Sequence, residues 1–156
     1  MGEPTWTREK LQRLVHREIG DYQLIVVSNR QPYVHEMVEG KLSYTSTAGG
    51  LTTAIDPLMQ ECGGTWVAYG GGKGDSIAVD ANNRIRVPPD DPSYTLRLVW
   101  LTEQEERGYY AGFSNEGLWP LCHNAFIEPT FQLSDWETYK SVNNVFAEQV
   151  LDEIDG

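Results

Sequence analysis

Basic side chains are scarce in this sequence: 12 Lys and Arg stand against 23 Asp and Glu, for a formal net charge of −11. So acidic a surface repels polyanions, which excludes a general nucleic-acid or anionic-membrane face; any anion site has to be local. Cysteine is scarcer still, with 2 residues, and neither Cys62 nor Cys122 has a neighbour at Cys-x-x-Cys spacing. Both are expected as buried free thiols, which excludes a disulfide framework and suits a reducing cytoplasm. Long apolar runs are missing too. No stretch approaches transmembrane length and Met1 to Lys10 has no apolar leader segment, so a soluble, cytoplasmic chain without a membrane partner is expected. What is present is 156 residues with 5 Trp and 8 Tyr, enough for one folded domain with a real core.

The stretch from Leu24 to Leu51 organises the rest. Leu24-Ile25-Val26-Val27 is an aliphatic run that reads as a central strand covered on both faces, and Ser28-Asn29-Arg30 follows its carboxyl end. Farther on, Ala48-Gly49-Gly50 leads into Leu51, Ala54, Ile55, Leu58, Met59 and Cys62, whose spacing gives one apolar helix face. The glycines therefore sit at a helix N-terminus, where unpaired N–H groups favour a phosphate. On these residues alone a tight turn and a solvated Arg30 explain the pattern equally well.

Thr7 caps a helix from Arg8 to about Ile19 that Gly20 ends, a peripheral element. Tyr33–Val38 and Lys41–Thr47, split by Glu39-Gly40, read as an inserted hairpin. Pro57 should kink or subdivide the glycine helix, and Gly63-Gly64 ends it before a parallel strand, Thr65–Tyr69. Gly70-Gly71-Gly72-Lys73-Gly74 is not a Walker loop, since Gly74 stands where Ser or Thr is required and no helix follows; it reads as a flexible loop. Ser76–Asp80, Arg84–Val87 and Leu96–Trp100 read as short strands. Thr102 with Glu105 and Ser134 with Glu137 are capping boxes that open two helices. The first carries Tyr109, Tyr110, Phe113, Leu118 and Trp119 with Gly112, Ser114, Asn115 and Gly117 between them. Core packing is the ordinary meaning of such aromatics, although aromatic faces beside amides and hydroxyls also suit a sugar. The second helix turns Trp136, Tyr139, Val142, Phe146 and Val150 inward.

Taken together, Val27-Ser28-Asn29-Arg30, Ala48-Gly49-Gly50-Leu51, Thr65-Trp66-Val67, the run from Tyr109-Tyr110 to Leu118-Trp119-Pro120-Leu121, and Trp136-Glu137-Thr138-Tyr139 with Val142-Asn143 resemble the N-terminal part of the trehalose-6-phosphate synthases, glycosyltransferase family 20. The resemblance runs from about Leu24 to Val150. It implies a Rossmann-like α/β fold: an open, mainly parallel sheet with helices on both faces and an inserted hairpin, the N-terminal half of a GT-B enzyme. Residues 1–20 are then a peripheral helix and 21–156 a truncated acceptor-side domain whose C-terminal donor domain is absent.

The implied activity of the whole enzyme is retaining transfer of glucose from UDP-glucose to glucose 6-phosphate, inactive in this fragment alone. The resemblance assigns Arg30, Tyr69, Tyr110, Asn115 and Trp119 to the acceptor and Gly49 and Gly50 to the donor's phosphates. It implies no carboxylate nucleophile, cofactor or metal. Tyr69 stands where family members often carry Trp, beside an unusually glycine-rich loop. That leaves open glycerol 3-phosphate, the acceptor of the related glucosylglycerol-phosphate synthases, and, in a different class, a non-catalytic sugar-phosphate-binding module. A domain interface left uncovered is expected to favour a homo-oligomer.

Overall fold

The computed structural model describes residues 7–20, 22–123 and 126–155. The chain forms two compact units, the first ending at Leu98 and the second beginning at Val99.

The first unit opens with α1 (Arg8–Ile19), capped as expected: Thr7 Oγ1 accepts from Lys10 N at 3.3 Å. Gly20 ends the helix at φ +61, in the left-handed region that glycine enters without strain. Gln12 Nε2 donates to the Glu61 carbonyl at 3.0 Å, tying α1 to α2 (Gly50–Cys62). The sheet holds β1 (Ile25–Ser28), β4 (Thr65–Tyr69), β5 (Arg84–Val87) and β6 (Tyr94–Val99) in the order β1-β4-β6-β5. β1 and β4 are parallel, with Val26 opposite Trp66, and β5 and β6 are antiparallel. The central strand covered on both faces is thus β4, where Trp66, Val67 and Ala68 are fully buried. β1 lies at the sheet's edge and leaves Val27 48% exposed; an apolar run marks burial on two faces only when neighbours supply both.

β2 (Tyr33–Val38) and β3 (Lys41–Ser46) form the inserted hairpin. Its two-residue turn puts Glu39 at φ +50 and Gly40 at φ +75, the twist that matches two antiparallel strands. α2 runs through Pro57 as one helix. Its inner face is rotated from the expected one: Thr52 and Met59 are buried, whereas Leu51 is exposed. The hydroxyl of Thr52 explains this, since it donates back to the carbonyls of Thr47 at 2.8 Å and Gly49 at 3.1 Å, which satisfies a buried polar group locally. Ser76–Asp80 is not a strand. A single helical turn, α3 (Asp75–Ala78), stands there instead, because Asp75 turns inward to gather backbone and side-chain donors.

Trp66 stacks on Tyr94 at 6.3 Å, and Met59, Leu96, Leu98 and Val87 close the core around them. One carboxylate ties this core to the helix and the hairpin. Asp56 accepts from Tyr94 Oη at 2.5 Å, Tyr33 Oη at 2.9 Å and Gln60 Nε2 at 2.7 Å. Burial first, and then the Asp56 carboxylate, pushes both phenols well above their usual range. A proton held more tightly in the folded state stabilises the fold below the unfolded phenol pKa of about 10 and is lost as pH rises past it. The melting temperature should therefore fall from about pH 10 upward, and fall less steeply in a Tyr33→Phe, Tyr94→Phe double variant. Parallel slopes in alkaline thermal melts would count against this.

In the second unit, α4 (Glu103–Glu106) opens on the expected capping box: Glu105 N donates to Thr102 Oγ1 at 3.2 Å and Thr102 N to Glu105 Oε2 at 2.7 Å. The helix then widens into a π-helical segment, Arg107–Leu118, before α5 (Trp119–Cys122). α6 (Leu133–Asp155) begins before Ser134, so Ser134 lies inside the helix rather than at its cap. Val142 and Phe146 are its buried apolar residues, while Trp136 is 39% exposed although it packs on Phe113 at 5.1 Å. Cys62 is half-buried, its thiol pushed up by burial, but Cys122 is exposed, contrary to its expected burial. Trp119 and Leu121 beside it are exposed as well. Among the described residues, no helix is long and apolar enough to cross a membrane.

Candidate functional site

Ser28 fixes the start of the site. Its hydroxyl accepts from the buried Trp66 Nε1 at 2.8 Å and donates to the Arg30 carbonyl at 2.7 Å, so the loop after β1 is pinned to the core. Tyr69 N donates to the Asn29 carbonyl at 3.3 Å, and Thr47 N to the Pro32 carbonyl at 2.8 Å, which brings the hairpin's far end back to the same place. Between these stretches lies an open cavity of about 280 Å³, lined by Asn29, Arg30 and Gln31 of the loop, Val34 and Thr47 at the hairpin, and Tyr69 and Gly71. Arg30 is exposed and is the charged residue among them, a guanidinium fork free to take a planar oxyanion.

The glycine loop forms one wall, and it is not slack. Asp75, fully buried, accepts from Gln31 Nε2 at 2.6 Å, Gly72 N at 2.6 Å, His35 N at 2.8 Å and His35 Nδ1 at 3.1 Å. A carboxylate only accepts, so the imidazole and amide must present N–H groups to it. Gly74 N adds a bond to the His35 carbonyl at 2.9 Å. A Cβ on Gly72 would stand 2.5 Å from the His35 carbonyl oxygen and 2.7 Å from Val34 Cγ1. The expected flexible loop is therefore a tightly packed one, with glycine at Gly72 because the backbone of β2 lies against it.

Gly49 and Gly50 stand differently. Gly49 caps α2 at φ 167, an extended conformation open to any residue, and a Cβ on Gly50 would meet nothing within 4 Å. Neither glycine is required by the fold there. The first-turn N–H groups of α2 lie at the same end of the parallel β1–α2–β4 unit as Arg30, and they carry the positive end of the helix dipole.

In the second unit the aromatic run divides. Tyr109 stacks on Tyr139 at 5.7 Å, and Phe113 packs on Tyr139 at 4.6 Å and Phe131 at 5.8 Å. The interspersed glycines let the segment approach α6 and the stretch before it: a Cβ on Gly108 would stand 3.0 Å from Thr138 Cβ of α6, and one on Gly117 2.6 Å from Phe131 Cε1. Ser114 Oγ caps the wide turn by donating to the Tyr109 carbonyl at 2.8 Å. Of the residues predicted to bind a ligand, Asn115 is exposed, Tyr110 half-buried, and Trp119 47% exposed with His123 stacked on it at 4.4 Å. Both the packing and the non-packing readings of the run thus apply, to different residues.

The first unit brings Arg30 and Tyr69 to one cavity, and adds Gln31, Thr47, His35 and Asp75, which sequence reasoning passed over. Gln31 and Asp75 meet across 44 positions, and no periodicity or spacing announces such a pair. Among the described residues, no group of three or more His, Cys, Asp or Glu is placed to hold a metal.

Residues 22–156 match the sequence profile of glycosyltransferase family 20. The trehalose-6-phosphate synthase of Mycobacterium leprae (strain TN) is 35% identical over 133 residues, which is 85% of this chain and 26% of that protein. A solved structure of a trehalose-6-phosphate protein from E. coli, bound with UDP-2-fluoro glucose, is 28% identical with a TM-score of 0.56, covering 83% of this chain and 25% of the other. An α,α-trehalose-phosphate synthase (UDP-forming) from Burkholderia xenovorans, in complex with glucose-6-phosphate, is 26% identical with a TM-score of 0.56 over 83% of this chain and 25% of that one. The chain spans about a quarter of the length of the relatives it matches.

Proposed function

Because the chain belongs to glycosyltransferase family 20, we propose that it is the acceptor-side part of a trehalose-6-phosphate synthase, a cytoplasmic retaining glycosyltransferase that moves glucose from UDP-glucose to glucose 6-phosphate. The observation that carries this reading is the cavity at the carboxyl end of β1, which the exposed Arg30 lines together with Asn29, Gln31, Thr47 and Tyr69. Arg30 holds the acceptor phosphate through paired, charge-assisted hydrogen bonds. Tyr69 of the same cavity, and Tyr110, Asn115 and Trp119 by family resemblance, contact the acceptor sugar. Gly49 and Gly50 receive the donor's diphosphate. That the fold does not require glycine at either position supports this, since a backbone without Cβ lets phosphate oxygens approach helix N–H groups closely. There they would stabilise the charge that develops on the leaving phosphate. The part of the longer relatives beyond the matched stretch supplies the rest of the active site.

Titration of the chain with glucose 6-phosphate, and in parallel with glycerol 3-phosphate, followed by backbone amide NMR, tests the reading. Saturable shifts at Arg30, Gln31 and Tyr69 with glucose 6-phosphate are expected. Saturation by glycerol 3-phosphate alone would change the acceptor, and silence at these amides with both ligands would remove the site.

A further inference from the structure

Among the described residues, the buried side-chain polar atoms without a hydrogen-bond partner are Asn29 Oδ1, Gln31 Oε1, Thr47 Oγ1 and Ser93 Oγ. The first three belong to residues that line the Arg30 cavity. A buried acceptor left unpaired costs the fold its full desolvation penalty, so three beside one cavity mark a place where a donor arrives from outside the chain. Gln31 is the sharpest of them. It is 4% exposed, and its amide cannot turn over, because Nε2 is held at 2.6 Å by Asp75. That carboxylate is itself fixed by Gly72 N and by the backbone N and ring Nδ1 of His35. With the N–H₂ end committed to an obligate acceptor, the Oε1 end is left as a fixed acceptor.

We propose that Gln31 is a specificity-determining residue of this cavity, accepting a hydrogen bond from a hydroxyl of a phosphorylated polyol or sugar, and that Asp75 is the positioning residue that sets its amide. The inference rests on the phosphate reading of Arg30 and adds what inorganic phosphate cannot supply. Inorganic phosphate keeps an O–H at neutral pH, but on the same phosphorus that Arg30 holds, whereas a sugar or polyol phosphate carries hydroxyl donors on a carbon chain that extends beyond its phosphate. A site built to bond a hydroxyl rejects a ligand that lacks it, since its own buried group then stays unpaired.

The test compares dissociation constants for glucose 6-phosphate, glycerol 3-phosphate and inorganic phosphate in the chain and in Gln31→Met, which keeps the volume and removes the acceptor. The preference of each hydroxylated ligand over inorganic phosphate is the readout, because a merely structural role for Gln31 would weaken all three alike. The preference for the ligand that Gln31 reads should shrink about 5- to 10-fold in Gln31→Met, the size of one net hydrogen bond. Asp75→Asn, whose side chain can accept or donate toward Gln31, should shrink it in the same direction. In the unmodified chain, the Gln31 side-chain amide resonance should move on adding that ligand and stay in place with inorganic phosphate, which keeps the test decisive if either variant fails to fold. Unchanged preferences, or an amide resonance that responds equally to inorganic phosphate, would overturn the role of Gln31 while leaving Arg30 as a phosphate site. Absence of binding by all three ligands to the unmodified chain would overturn the phosphate reading and this inference together.

Discussion

Arg30→Ala should weaken glucose 6-phosphate binding about 10- to 150-fold, the range spanned by hydrogen bonds to a charged group. The attraction is local. The chain carries a formal charge of −11, so its general field opposes a phosphate, and the attraction must come from the few groups that touch it. Arg30 is the charged residue of the cavity lining, and the Ser28 hydroxyl pins its backbone through the Arg30 carbonyl at 2.7 Å. Removing its guanidinium should leave the loop and the fold intact, so the loss is one of affinity without a fall in melting temperature. Arg30→Lys should recover only part, because an ammonium cannot reproduce the planar two-point fork. Added salt should weaken the unmodified chain more than Arg30→Ala, since an exposed cation is screened. Calorimetric titration at two ionic strengths checks both statements. A dissociation constant within twofold of the original in Arg30→Ala would take Arg30 out of the site.

Gly64→Ala should be the most damaging small substitution in the first unit, costing about 3 kcal/mol or more. Two separate effects combine there. Gly64 sits at φ +100, where a residue with a Cβ is strained, and the added Cβ would run into the carbonyl oxygen and Cβ of Leu24. That carbonyl cannot move aside freely, because it accepts from Thr65 N at 2.9 Å, while the Gly64 carbonyl accepts from Thr95 N at 3.0 Å. The glycine is thus the seam at which β1, β4 and β6 come into register. At 2–4 °C per kcal/mol for a chain of this size, the melting temperature should drop by roughly 6–12 °C. Gly40→Ala is the control: its φ is +75 but a Cβ there meets nothing within 4 Å, so only the strain of about 1 kcal/mol remains. Equal melting temperatures for the two variants would show that steric contact at Gly64 adds nothing.

Local chemistry was legible in the sequence wherever the deciding interactions lie within a few residues. The Thr7 cap, the Thr102–Glu105 box, the Glu39-Gly40 turn and the glycine stop after α2 each involve neighbours in the chain, and each is present as read. Long-range partners were not legible. Asp75 fell between a run read as a loop and one read as a strand, because its donors Gln31 and His35 lie far away in sequence. The same network turned an apparently flexible glycine run into a packed wall. β1 read as central because its composition resembles that of β4; which strand is flanked on both sides is a property of the sheet, not of the strand. Arg30 was nominated through its family motif and Tyr69 as a departure from the Trp often found at its position, and the structure gathers the two at one cavity. Gln31 escaped notice because a single amide carries no signal until its partner is known.

The Asp75 carboxylate, a hub of four hydrogen bonds, also bears on how the proposed acceptor would enter. It sews together the loop after β1, the first strand of the hairpin and the glycine loop, so the cavity's walls come as one rigid piece rather than three mobile ones. A visitor does not have to order them, and little of its contact energy is spent on conformational entropy. The corollary is a seat that discriminates by misfit: a ligand of the wrong length meets walls that cannot close around it, and selectivity survives even where total affinity is modest.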